Sequence, residues 1–457
     1  MDVSCRRPAI GRQAHLIRPG EEWQMVRASP ESRYRPFDAI IRCFMHTSNS
    51  LPTTVRGRLA AGLAPWLAGI APLMSLAHFL LEAGFNFLPV TYALLIPRLG
   101  LSYGQIGTMV LFMTIAGTVT QPLFGWLSDR GDPRLIVVAS LMWGGTLMGL
   151  VGFMPTYGWL VTLVVLAALG SAAFHPPAAA LSSLTEAGNR GRAMSLFSVG
   201  GNLGAALSPL LVGLALSAGG LGATAVLIPL SLMTGLLMAR RLRGIGAPRF
   251  RGAGGDAPAA AGSAAALAAI VVVVGARSYF QQALMTYLPE WLRGNGQSLA
   301  VAGAALTLFM VAVSTGSLLG GTLSDRFGRL PIIGVSLVLM MGGHWVLLHT
   351  VGAPQMAAVL LIGLMIGASF PVTIVLAQEA WPRSLGFASA MVMGLGWLPA
   401  GLGAWAVGRI ADGSTLTDGL RSLTLAPLVG LAAAGVFMVV KRGRLARQGA
   451  FSQRDSL

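Results

Sequence analysis

Charge is scarce in this chain. Only 11% of its 457 residues are Asp, Glu, Lys or Arg, against roughly 25% in soluble domains. There is a single lysine, Lys441. A phosphate-binding Gly-x-x-x-x-Gly-Lys-Ser/Thr loop cannot be built around it, so an ATPase of that kind is excluded. Energy for any uphill work must come from an ion gradient or a partner subunit. The two cysteines, Cys5 and Cys43, give neither a disulfide framework nor a metal site. No secretory h-region is visible near the start. No His-Glu-x-x-His and no Gly-x-Ser-x-Gly is present, which leaves a membrane-embedded enzyme without support. No extramembrane module suggests a sensor. No cofactor is expected.

What is abundant is apolar surface. Apolar residues make up 54% of the chain, and mean hydropathy is +0.70. One soluble core cannot hide that much apolar surface, and the bilayer is its natural solvent. From about residue 65 to 440, twelve apolar runs of roughly 20 residues follow one another, each long enough to span the hydrocarbon. None alternates with period two, so barrel strands are excluded. The chain reads as an all-α membrane protein with twelve transmembrane helices. Residues 1–64 read as a disordered, basic cytoplasmic tail, with Met45 and Met74 as alternative starts.

Arginine placement sets the orientation. The 32 basic residues outnumber the 16 acidic ones, yet they sit in the tail and between apolar runs rather than on a nucleic-acid-binding face. Arg130, Arg134, Arg190, Arg192, Arg240, Arg241, Arg243, Arg326, Arg329, Arg383 and Lys441 follow even-numbered runs, whereas the opposite breaks hold few cations. The positive-inside rule then puts both termini in the cytoplasm. The longest internal break, 241–263, is rich in Arg, Gly, Ala and Pro and reads as a linker. It divides bundles at 65–240 and 264–440, with a second tail at 441–457.

The two halves repeat. Gly125-Trp-Leu-Ser-Asp-Arg130 returns as Gly321-Thr-Leu-Ser-Asp-Arg326, and Phe174 returns as Phe370, both 196 residues on. Leu88-Pro89 returns as Leu288-Pro289. Each six-helix half restarts on the same side of the membrane, so the repeats are parallel. Folds of this kind carry solute sites near the midplane, between the halves.

The duplicated Gly-x-Leu-x-Asp-Arg break resembles the signature loop of the major facilitator superfamily. A narrower likeness lies in Ser75-Leu-Ala-His-Phe-Leu-Leu-Glu82, in Phe174-His-Pro176, in Ser195 to Gly204 with Ser208-Pro209, and in Ala377-Gln-Glu379. These stretches are similar to the fosmidomycin-resistance branch. The resemblance implies a proton-coupled exporter (antiporter) of a small drug-like or anionic compound in a bacterial inner membrane, working as a monomer by alternating access. A symporter or facilitator importing a metabolite is the competing reading. The family's usual Asp is Glu82 here, and its frequent Lys is Arg277. Asp132 and Pro133 interrupt the usual ending of the first signature loop.

Ionisable groups at midplane depth are the sharpest chemical signals, since each costs about 2.5–3.5 kcal/mol on insertion scales. Glu82 lies near the middle of the first run, with His78 and Asn86 one turn to either side on nearly the same face. Glu82 is expected to carry the exchanged proton, with His78 as relay. Arg277, at similar depth in the seventh run, either pairs with Glu82 or meets an anionic substrate; phosphonates like fosmidomycin suit a guanidinium. Asn86 and His175 join it as candidate substrate contacts. His175, before Pro176 and Pro177, has a competing role in satisfying a carbonyl near the prolines. The resemblance implies a cytoplasmic gate of Asp129, Arg130, Asp325, Arg326 and Arg329, with Glu379 and Arg383 as partners. Gly200, Gly204, Ser208 and Pro209 form a small-residue helix-packing face. His344 and His349 are expected at the outer interface.

Overall fold

The structure, a computed structural model, describes residues 70–184, 190–243, 263–382, 388 and 391–454. The expected tail, most of the linker and Arg383 lie outside them, as does the side chain of Asp129. Among the described residues, eleven stretches are long and apolar enough to cross a membrane. The stretch Leu196–Leu242 has 47 residues and holds two helices joined by a 3-10 segment at Gly220–Val226. Twelve crossing helices result: α1 (Ile70–Leu99), α2 (Tyr103–Arg130), α3 (Pro133–Gly149), α4 (Tyr157–Leu184), α5 (Arg190–Gly219), α6 (Leu227–Leu242), α7 (Ala264–Gly294), α8 (Leu299–Phe327), α9 (Arg329–His349), α10 (Ala353–Ala380), α11 (Met391–Gly413) and α12 (Leu425–Arg454). No strand occurs among the described residues. The end where α1 starts is called proximal below, and the opposite end distal.

Two helices are interrupted within their spans. α1 breaks at Phe87 and resumes with Pro89 in its first turn, because proline brings no N–H to continue the ladder. α11 is interrupted by a 3-10 turn at Leu395–Trp397. Its loosened carbonyl at Gly396 accepts a hydrogen bond of 2.7 Å from the Ser278 hydroxyl of α7. Phe87 and Gly396, at the two breaks, are buried against neighbouring helices.

The halves meet at the distal end. Asp412 of α11 accepts from the Ser102 hydroxyl at 2.8 Å and from the Gly104 N–H at 3.0 Å, at the start of α2. The Tyr287 hydroxyl of α7 lies 2.8 Å from the Tyr103 carbonyl and 2.9 Å from that of Ala404. The Leu210 N–H of α5 donates to Thr307 of α8 at 3.1 Å. At the proximal end, no salt bridge joins the halves among the described residues.

His344 is not interfacial. It is buried, its Nε2 lies 2.9 Å from the Leu420 carbonyl, and its ring stands edge-on to Phe280. A short helix at Leu416–Arg421 brings that carbonyl over it. His349 is exposed and stacks on Trp345 at 4.8 Å.

Candidate functional site

The N-terminal half assembles one polar cluster from three helices. α1 supplies His78, Glu82 and Asn86 along one face, α4 supplies His175, and α5 supplies the backbone around Phe197. The Asn86 amide donates to Glu82 Oε2 at 3.0 Å and to the Glu82 carbonyl at 2.9 Å. That fixes the carboxylate so that Oε1 faces the histidines. His175 Nε2 lies 3.1 Å from Oε1 and His78 Nε2 3.9 Å. All three side chains are partly open, at 12–29% exposure.

The histidine tautomers follow from their other nitrogens. His78 Nδ1 is 2.9 Å from the Phe197 carbonyl, and His175 Nδ1 is 2.8 Å from the Ser171 carbonyl. A carbonyl only accepts, so each Nδ1 carries hydrogen. A neutral ring then turns its Nε2 lone pair toward Glu82 Oε1. Two lone pairs at 3.1 Å repel, so a proton must lie between His175 and Glu82. The arrangement can hold one shared proton between His175 Nε2 and Glu82 Oε1. The three ligand atoms also lie within 4.8 Å of one another. A tetrahedral zinc ion, with bonds of about 2.0–2.1 Å, needs its donors roughly 3.4 Å apart. The rings would have to close up for a metal, whereas a proton fits the arrangement as it stands.

Packing holds the rings in place. His78 stacks on Phe197 at 4.1 Å and meets His175 edge-on at 5.2 Å. Gly201 makes the room: a Cβ there would stand 2.3 Å from His78 Cε1. Its neighbours Gly200 and Gly204 let α5 press on the carbonyls of Ser75 and Phe79, which a Cβ would meet at 2.2 Å in each case. The Ser208 hydroxyl donates to the Ala83 carbonyl, and the Pro209 carbonyl lies against Gly303 of α8. All four residues of the small-residue face thus lie at helix contacts.

Arg277 lies on α7, the repeat-mate of α1, and does not pair with Glu82. The Glu82 oxygens face His78, His175 and Asn86. Arg277 is 2% exposed and turned toward α10 and α11, where it lies 4.9 Å from the Phe370 ring centroid and 5.8 Å from that of Trp397. Among the described residues its one hydrogen bond runs from Nη1 to Gln281 Oε1 at 3.5 Å. Each charge is thus served by helices of its own half. Asn86 and His175, expected at the substrate, are both engaged with Glu82.

The residues of the expected gate are spread along the proximal end. Arg130 stacks over Trp126 at 4.3 Å, and Arg326 lies 5.4 Å from the Phe327 ring centroid. Arg329 pairs with Glu379 inside the C-terminal half. Asp325 is exposed, with no bonding partner among the described residues. Asp132 caps the start of α3, accepting from the Arg134 N–H at 3.0 Å and from its guanidinium at 2.7 and 2.8 Å.

Sequence reasoning did not single out Phe197, Gly201, Gln281 or Trp397. The first acts through a backbone carbonyl and the second through a missing side chain. Gln281, one turn after Arg277, was open to the same i, i+4 spacing that linked His78 to Glu82.

The Major Facilitator Superfamily profile matches residues 74–289 and 267–454. The chain is 26% identical over 382 residues to the fosmidomycin resistance protein of Escherichia coli K12, covering 79% of this chain and 91% of that protein. It is 27% identical, with the same coverage, to the uncharacterized MFS-type transporter YfnC of Bacillus subtilis 168. Among solved structures, a bacterial homolog of the human lysosomal transporter Spinster, inward-facing and occupied, superposes with a TM-score of 0.68 at 18% identity, over 82% of this chain and 96% of that one.

Proposed function

The chain belongs to the Major Facilitator Superfamily, whose members are multi-pass membrane transporters and not enzymes, and from that premise we propose a proton-coupled antiporter that exports a small drug-like or anionic compound. The observation that carries the proposal is the His78–Glu82–His175 cluster. It is polar, partly open, at midplane depth and built to share a proton. Intramembrane ionisable groups of this kind mark proton relays. The name of the Escherichia coli relative, a fosmidomycin resistance protein, supports export over uptake.

The proposed location is a bacterial inner membrane, with the termini and the proximal end in the cytoplasm, on the strength of the arginine asymmetry. In that orientation the distal contacts close the outer side. Asp129, Arg130, Asp325, Arg326 and Arg329, with Glu379 and Arg383, then belong to a gate that shuts on the cytoplasmic side in the other half of the cycle. Protonation and substrate binding alternate as the two halves rock.

The test is drug susceptibility in an efflux-deficient host, with fosmidomycin in the panel, beside dye-reported proton release from inverted vesicles. Wild type should confer resistance and release protons on substrate addition, and Glu82→Gln should do neither while reaching the membrane normally. Proton exchange undiminished in Glu82→Gln would remove Glu82 from the mechanism. No resistance and no proton movement from well-expressed wild type would reject export.

A further inference from the structure

A buried guanidinium whose donors lack acceptors is unstable unless something else supplies them. Arg277 is in this state. It is 2% exposed, and its Nε and Nη2 have no hydrogen-bond partner among the described residues. The third nitrogen, Nη1, has only the long 3.5 Å contact to a neutral amide oxygen of Gln281. No carboxylate of the described residues forms a salt bridge with it.

Which donors are free decides the chemistry. Nε and Nη2 form one edge of the guanidinium, and their hydrogens point the same way. That edge matches two oxygens of a single carboxylate, phosphonate or phosphate group. The opposite edge is occupied by Gln281. Rings cover the charge as well: Phe370 and Trp397 meet at 86°, with centroids 6.4 Å apart, and form an apolar corner beside it. Both rings are partly exposed, so the corner has an open side. Trp397 rides on the 3-10 turn that interrupts α11, which Ser278 ties to α7 one residue after Arg277.

We infer that Arg277 is the seat for one oxyanion group of the transported compound, gripped by two parallel hydrogen bonds on the Nε–Nη2 edge. Gln281 positions the guanidinium, and Phe370 and Trp397 receive the adjoining apolar body and reject small, strongly hydrated ions. This rests on the transporter reading above and narrows it: the substrate carries one accessible oxyanion beside an apolar or aromatic group. The seat and the proton site are separate, one in each half.

Binding is measured on the purified full-length protein in detergent, by thermal shift and by titration, with benzoate and phenylphosphonate as probes and benzamide as the neutral isostere of benzoate. Both anions should raise the melting temperature of wild type, and benzamide should not. Arg277→Gln should bind them about 10–100-fold more weakly, the loss expected for charge-assisted bonds. If Arg277→Gln does not fold, Gln281→Glu carries the test. Its new carboxylate would neutralise Arg277 from within, so this variant should be at least as stable as wild type yet unresponsive to the anions. The inference is overturned if benzamide stabilises as well as benzoate, if the anion response survives in either variant, or if neither anion shifts wild type at millimolar concentration. Binding needs no gradient, so anion binding without proton exchange would refute the antiport reading alone. Proton exchange without anion selectivity would refute this one alone.

Discussion

At the residue scale, the proposed proton site depends on where hydrogens cannot go. His78 and His175 each surrender an Nδ1 hydrogen to a main-chain carbonyl, and so present Nε2 to Glu82. In a neutral imidazole the hydrogen bond made by one nitrogen sets the role of the other, and here the fold fixes Nδ1 on each ring. Gly201 is the least conspicuous participant. In Gly201→Ala, the added methyl would lie 2.3 Å from the His78 ring, so the ring must swing from its stack on Phe197. The expected outcome is substrate-driven proton exchange lowered severalfold in inverted vesicles, with normal expression and a normal gel-filtration profile. Exchange at the wild-type rate would show that His78 need not hold its present orientation. Glu82, His78 and Asn86 were legible in the sequence because spacing by four puts side chains on one face. His175 was legible as a candidate but not as a Glu82 partner, because 93 residues of chain separate the two. The acceptors at Phe197 and Ser171 were invisible, since a carbonyl belongs to every residue.

At the element scale, the twelve crossings were legible because length and hydropathy suffice to define a span. Local details were not. Asp132 and Pro133 look like damage to a signature loop, yet they start α3. Asp132 is its N-cap and Pro133 its first residue, the position where a missing N–H costs nothing. Asp132→Ala should lower stability by about 0.5–2 kcal/mol, the usual worth of such a cap, read as a lower melting temperature in detergent. The Arg134 side-chain hydrogen bond holds the Asp132 carboxyl below the ordinary aspartate range. A depressed carboxyl stabilises the fold above its unfolded value of about 4 and loses that contribution as pH falls through the folded value. The gap between wild type and variant should therefore be flat from pH 5 to 8, roughly, and close only in stronger acid. A gap that widened on acidification would reject the ionised cap. His344 illustrates the opposite failure. Its place near the end of an apolar run suggested an interface, but Leu420, 76 residues away, folds back to cover it.

At the scale of the whole molecule, an anionic centre lies in one half and a cationic one in the other, and they do not pair: Glu82 is met by the histidines of its own half, and Arg277 has no carboxylate partner among the described residues. Charges that do not bind each other leave the halves free to part, and the contacts that hold them lie instead at the distal end. Asp412 is the charged member of those contacts. From the C-terminal half it accepts the first hydrogens of α2, where a negative charge also favours the helix dipole. Gly104 belongs to the same latch, since a Cβ there would lie 2.4 Å from the Asp412 carboxylate. Asp412→Ala removes this bond and leaves the Tyr287 contact in place, so the distal end should open part of the time while the fold persists. Spin labels on cysteines at Gly158 and Val351, exposed positions at the distal end of the two halves, measure this directly once Cys5 and Cys43 are replaced by serine. Wild type should give mainly one short distance, and Asp412→Ala a second, longer population. A variant distribution matching wild type would mean that Tyr287 and the close approach of α5 to α8 hold the distal end shut without Asp412.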